Sequence, residues 1–171
     1  RAGAGSINRR GYGDPGIGGQ TRRRIARLDP VTGLADSWDP NANFAVRSIV
    51  VQLDGRILAG GDFTNIGGQT RNYIARLDVT TGLADSFNPN ADNVLRLVMV
   101  QADGKIIAGG TFGNIGGQAR NNIARLDATT GLDASWNPNA DDCIRDLAAQ
   151  ADGQVLAGVV VTRVRGKKSY V

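Results

Sequence analysis

The side chains that could do chemistry in this chain are arginines, aspartates and a few aromatics, and they recur at one spacing. Arg27, Arg76 and Arg125 stand 49 residues apart, each two residues before an aspartate: Asp29, Asp78 and Asp127. Positions two apart in an extended strand share a face, so each pair could set a guanidinium beside a carboxylate. The planar guanidinium fork bridges carboxylates and backbone carbonyls. A recurrent structural role, such as pinning one repeat to the next, is the preferred reading over ligand contact. Trp38 and Trp136 hold equivalent places one repeat either side of Phe87. An exposed indole could stack on a sugar, whereas a buried aromatic anchor would account for all three positions. These eight residues, Arg27, Arg76, Arg125, Asp29, Asp78, Asp127, Trp38 and Trp136, are the candidate ligand-binding set.

The rest of the inventory excludes most catalysis. There is no His, and all sixteen acidic residues are Asp. Ser-His-Asp and Cys-His nucleophile systems are therefore impossible, as are His-ligated zinc or iron sites. The single cysteine, Cys143, cannot form an internal disulfide and reads as a small, largely buried residue. Asn88, Asn90 and Asp92 could offer oxygen ligands to calcium, but their spacing is not that of an EF-hand and Asn-Pro is ordinary turn chemistry. Asp141, Asp142 and Asp146 are the densest acidic cluster; no acidic pair stands outside the repeat pattern as a glycosidase would need. The Gly-Gly pairs lack the lysine and following helix of a phosphate loop. The expectation is a chain with no catalytic residues, no metal and no cofactor.

Charge is divided unevenly. Residues 1–24 carry six Arg and one Asp, and residues 163–171 carry four basic groups and no acid. Residues 25–162 carry ten basic and fifteen acidic groups, so the body is mildly acidic although the whole chain is +4. A nucleic-acid binder would concentrate its basic residues on the folded body, so none is expected as a partner. No apolar run approaches the ~20 residues of a membrane span. Arg1 in place of Met is what an excerpt or processed chain would show.

These residues must be positioned by the repeat that carries them. Ile-Ala-Arg-Leu-Asp begins at Ile25, Ile74 and Ile123, and the same 49-residue step relates Gly-Gly-Gln, Asp-Gly and the aromatic positions. The register runs unbroken from 17 to 163, three repeats in which about half the positions are identical. Residues 1–16 form a divergent segment, and 164–171 begin a truncated fourth repeat. Within one repeat, 45–52 is a β-branched strand apolar on both faces, expected to be buried on both sides. Asp54-Gly55 suits a two-residue type I′ turn. A second strand follows at 56–63, a glycine loop at 65–70, a third strand at 71–79 and a short fourth at 83–87, ended by Asn88-Pro89-Asn90. Four short antiparallel strands per repeat, grading from apolar to polar, predict a β-propeller blade; a β-solenoid coil would be shorter.

The spaced signatures Val100-Gln101-Ala102-Asp103-Gly104-Lys105-Ile106 and Arg71-Asn72-Tyr73-Ile74-Ala75-Arg76-Leu77-Asp78 resemble the delta-60 repeat, a bacterial β-propeller repeat of unassigned function. The resemblance covers residues 17–163. It implies a propeller of such blades, a secreted or cell-surface location and no catalytic residues to carry over. The chain departs from it in residues 1–16 and at Val159-Val160-Val161.

Three blades' worth of strands is too few for a comfortable ring. The N-terminal part supplies third and fourth strands (22–38) and the C-terminal part first and second strands (144–161), with two whole blades between. The expectation is a non-catalytic structural or protein-interaction module whose two copies complete a six-bladed ring, each split blade shared between chains. Blades from a longer parent protein are the competing way to complete it. A carbohydrate-binding propeller with repeated inter-blade sites is the alternative function.

Overall fold

The computed structural model of the chain describes residues 16–131 and 136–159. The expectations for the divergent segment before residue 16, for Val160 and Val161, and for a fourth repeat at 164–171 lie outside the described residues. All regular structure among those described is antiparallel β; there is no helix and hence none long and apolar enough to cross a membrane.

A small hairpin, β1 (Gly16–Ile17) with β2 (Gln20–Thr21), opens the fold. Next comes a sheet whose strands β3 (Val46–Val51) and β4 (Ile57–Gly61) are joined, after the hairpin β5 (Asn65–Ile66) and β6 (Gln69–Thr70), by β7 (Ile74–Leu77), in the order β3-β4-β7. One step on, β8 (Leu95–Val100), β9 (Ile106–Gly110), the hairpin β10 (Asn114–Ile115) and β11 (Gln118–Ala119), and β12 (Ile123–Leu126) repeat the pattern. The chain then supplies β13 (Ile144–Ala149) and β14 (Val155–Val159), a two-stranded sheet with no third strand among the described residues.

The local turns differ from expectation in three places. Gln52 N–H donates to Arg56 O (2.8 Å) and Gly55 N–H to Gln52 O (3.0 Å), and Gly55 has φ +84°. This is a three-residue connection ending in a left-handed glycine bulge, not a two-residue type I′ turn, which would need positive φ at Asp54 too. The glycine loop at 65–70 is itself a short hairpin. The fourth strand shrinks to one bridge, Leu77 with Ala84, and Leu28 with Ala35 in the repeat before. Side chains satisfy its backbone instead: Asp85 Oδ1 accepts Phe87 N–H at 2.8 Å, and Arg71 donates to Asp85 O at 2.5 Å. A neighbouring strand has little left to bind.

Burial of the first strand differs between repeats: β8 packs into cores on both faces, as expected, and β3 does not. The middle strands β4 and β9 are buried along their whole length, whereas β3 alternates between half-buried and exposed. β4 is hydrogen-bonded on both edges and covered on both faces, while among the described residues no repeat covers the outer face of β3; β8, equally a sheet edge, has no exposed residue because β3 and β4 pack against it. Side chains of each middle strand alternate between two cores. Ile57 and Ala59 join Ile25, Trp38, Phe63 and Leu77, while Leu58 joins Ile74, Phe87, Leu95 and Val98. In the next repeat Ile106 and Ala108 face that second core, and Ile107 packs with Ile123, Ala140 and Ile144 in a third. Each core therefore lies between consecutive repeats, and the alternation of strand side chains assigns residues to it.

Glycines set the distance between sheets. A Cβ on Gly60 would lie 3.1 Å from Val98 Cγ1, and one on Gly109 3.0 Å from Ile144 Cβ. Consecutive repeats close to backbone contact there. Gly110 has a different constraint, since its Cβ would fall 2.1 Å from the Val94 carbonyl oxygen of its own sheet. Gly109→Ala is expected to lower unfolding free energy by about 1–3 kcal/mol through overpacking. Gly110→Ala is expected to cost more, because a backbone oxygen cannot rotate away as a side chain can. Urea denaturation of the two variants gives the order, and equal losses would contradict this account of the spacing.

Candidate functional site

The candidate residues converge at the seams between repeats, where they form a clasp used twice with variation. Arg27 and Arg76 rise from the third-strand position of their repeats. Arg76 Nε donates to Asp85 Oδ2 at 2.6 Å, and its Nη1 donates to the carbonyl of Ala128 in the following repeat. Arg27 does the same with Asp36 Oδ2 (2.6 Å) and Val79 O (2.6 Å). Each guanidinium also lies over the aromatic of its own repeat, Arg27 5.9 Å from the Trp38 ring centroid and Arg76 4.9 Å from that of Phe87. One side chain thus binds a carboxylate, an aromatic face and the next repeat's backbone. The two clasps differ in burial: Arg76 and Asp85 side chains are 7% and 28% exposed, whereas Arg27 and Asp36 are both 41% exposed.

The aspartates two residues after each arginine do something else. Asp78 Oδ1 accepts Thr80 N–H (3.0 Å), Thr81 N–H (2.7 Å) and the Thr81 hydroxyl (2.8 Å). Asp29 with Val31 and Thr32, and Asp127 with Thr129 and Thr130, repeat this turn. Hydrogen bonds, first those from the backbone N–H groups of Thr32, Thr81 and Thr130, hold all three carboxyls below their ordinary value of 3.8. The expected Arg27–Asp29 pairing and its repeats are therefore replaced. A carboxylate beside three donors of its own turn is captured locally, and the arginine reaches the aspartate nine residues on.

Those partners, Asp36 and Asp85, were missed from sequence. The signal was a 49-residue echo that fails in the third copy, where Asp133-Ala134 replaces Ala-Asp. Those two residues lie outside the described ones; Arg125 lies 5.7 Å from the Trp136 centroid, and its Nε is buried with no acceptor among the described residues.

Trp38 is 3% exposed, and its indole N–H donates to Asp78 O of the next repeat at 3.1 Å. That leaves no free ring face for a sugar. Trp136 is half-buried. Asn90, with φ +51°, accepts a hydrogen bond from Asn72 (2.9 Å), and Asp92 accepts from Gly113 N–H and the Asn114 amide (both 2.9 Å). Asn88, Asn90 and Asp92, weighed as calcium ligands, line an open hollow of about 580 Å³, where the Asn90 and Asp92 oxygens are engaged by these donors. Burial pushes the Asp92 carboxyl up, but the bonds from Asn114 and Gly113 outweigh it and bring it below its ordinary value.

Residues 52–86 and 101–135 match the family model described as Domain of unknown function (DUF5122) beta-propeller. Both stretches are similar to β-propeller repeats. Each match begins just after a first strand and runs through the glycine-bulge turn and the Ile-Ala-Arg-Leu-Asp strand; the first contains Arg76 and Asp85, while Arg27, Asp36 and the aromatics Trp38, Phe87 and Trp136 lie outside both. No curated protein and no solved structure matches the chain.

Removing the Asp85 carboxylate leaves the buried Arg76 Nε without its acceptor. Asp85→Ala is expected to cost about 2 kcal/mol, and Asp36→Ala, at a clasp more open to water, much less. Comparable losses in denaturant titrations would remove burial as the distinction. A separate expectation concerns acid. The folded-state carboxyls of Asp29, Asp78 and Asp127 are lowered, so the folded chain binds fewer protons than the unfolded one near pH 3–4. Their contribution is complete above the ordinary value and is lost as pH falls through the lowered one. Asp78→Asn should flatten the decline in thermal midpoint between about pH 5 and pH 2.5; an unchanged decline would assign it to other groups.

Proposed function

We propose that the chain is a non-catalytic structural or protein-interaction propeller module that completes its ring by self-association, two chains forming six blades. The observation that carries this reading is the mismatch of the two chain ends. β14 is bonded to β13 on one edge and to nothing on the other among the described residues, whereas β4 and β9 are bonded on both. The segment that pairs with that edge in the other repeats is represented near the N-terminus by Ile25–Leu28, which has no such sheet partner among the described residues.

The surfaces agree with the edges. Ile49 is 51% and Val51 65% exposed, on the face of the first full sheet that the preceding blade would cover. Its counterpart one repeat on, Val98, is 5% exposed because β4 lies against it. An apolar hollow of about 230 Å³ lined by Ile25, Trp38, Ile49, Val51 and Val79 opens there. Gly158 holds the place of Gly60 and Gly109, yet a Cβ on it would meet only Asp146 of its own hairpin. In a shared blade β13–β14 of one chain would lie beside Ile25–Leu28 of its partner and over Ile49 and Val51. Burial of that apolar surface would drive association.

The wider reading is a rigid disc presenting loops to other proteins, in keeping with the delta-60-like signatures and the secreted or cell-surface setting they imply. The sugar-binding alternative draws no support from Trp38. Multi-angle light scattering is expected to give twice the 17.9 kDa chain mass, and Gly158→Val, which thickens the strand at the shared seam, to give a folded monomer. A wild-type monomer would defeat the two-chain ring and leave a longer parent protein as the source of the missing strands.

A further inference from the structure

The repeats contain a second set of arginines that the seams do not use. Arg47, Arg96 and Arg145 are identical in type and 49 residues apart, on the first strand of each repeat. Each is the extra residue of a β-bulge. The ladder passes from Val46–Gly61 to Ser48–Gly60 around Arg47, from Leu95–Gly110 to Leu97–Gly109 around Arg96, and from Ile144–Val159 to Asp146–Gly158 around Arg145. A bulge re-aims the side chain it carries and recurs at binding sites. β8 packs against both β3 and β13, and the Ser48 hydroxyl accepts Val98 N–H at 3.0 Å, so these strands lie side by side. The bulges thus form a row of three cations.

Among the described residues only the first is hydrogen-bonded to a carboxylate, and Arg96 feels the charge of that same Asp62 from further off. Arg47 forks onto Asp62, Nε to Oδ1 and Nη2 to Oδ2, both at 2.6 Å. The residue equivalent to Asp62 in the next repeat is Thr111, which has no carboxylate. Arg96 makes no hydrogen bond among the described residues, and its Nε is buried without an acceptor. Yet the backbone around it matches the first repeat: Asp62 N–H donates to Ala45 O at 2.8 Å and Thr111 N–H to Val94 O at 3.0 Å. The second repeat keeps the bulge and the arginine but has no carboxylate at the position of Asp62.

We propose that Arg96, with Thr111 beside it, is a binding site for a small carboxylate ligand, which takes the place that Asp62's carboxylate holds in the first repeat. A planar, two-oxygen anion fits because the first repeat displays that pairing as a bidentate fork. A small ligand fits better than a long polyanion because residues 25–162 carry fifteen acidic groups against ten basic ones. The site lies within one chain and does not depend on ring closure or on self-association.

The test titrates the full chain with succinate and follows the arginine Nε–H resonances by NMR, with succinamide and ionic-strength-matched chloride as controls. Arg96 should shift saturably with succinate and with neither control. Thr111→Asp supplies the missing carboxylate internally. It should raise the thermal midpoint and weaken succinate binding about tenfold or more, the loss of one bidentate charged pair. Arg96→Gln should abolish binding and is the second variant should Thr111→Asp not fold. Absence of a succinate shift, an equal shift with chloride, or binding undiminished by these substitutions in a folded chain would overturn the proposal.

Discussion

A sheet whose middle strand is apolar on both faces cannot be stable alone, and most of this structure follows from that constraint. β4 and β9 direct successive side chains into different cores, and each core is closed by the adjacent repeat. Close approach is then required, and the glycines at 60 and 109 permit it by admitting Val98 and Ile144 almost to the backbone. Stability becomes a property of seams, as expected of arrays in which each unit contacts its neighbours alone. Apolar strand side chains are exposed where no neighbouring repeat covers them among the described residues, at Ile49 and Val51 on one side and Leu156 on the other.

The polar residues reinforce the same seams. An arginine interior to a sheet stack is tolerable only if its donors are met. Arg76 meets this by holding Asp85 in its own repeat and the Ala128 carbonyl in the next, with Phe87 beneath it. The clasp therefore ties two repeats together where the apolar core alone would let them slide. In the third repeat Asp133-Ala134 stands where the other two have Ala-Asp. Repeat arrays can accept such drift at one seam while the other seams hold.

Much of the fold could be read in advance. The 49-residue step, the strand positions around Asp-Gly and Ile-Ala-Arg-Leu, and the β-only class depend on alternation and turn chemistry, which are local. Three readings went astray where a local pattern fitted two structures. Asp54-Gly55 serves a type I′ turn and a glycine-bulge turn equally well, and the choice lies in whether Gln52 pairs with Arg56. Leu83–Phe87 alternates like a strand, but Asp85 and Arg71 take up its backbone groups first. Arg27 and Asp29 share a face by spacing, but the turn donors nearer Asp29 win its carboxylate. The bulge arginines were visible as repeated residues. Their significance was hidden because a bulge is a relation between two strands, and so is the Arg47–Asp62 fork.

The order of residues was enough to establish that this is a repeated antiparallel β protein without histidine chemistry, since periodicity and composition act over a few residues at a time. It was also enough to mark the two ends as unlike the middle. Which aspartate meets which arginine, which strand is buried, and which arginine nitrogen lacks an acceptor among the described residues were decided by packing. Those outcomes compare partners tens of residues apart, and a chain brings such partners together only when the sheets stack.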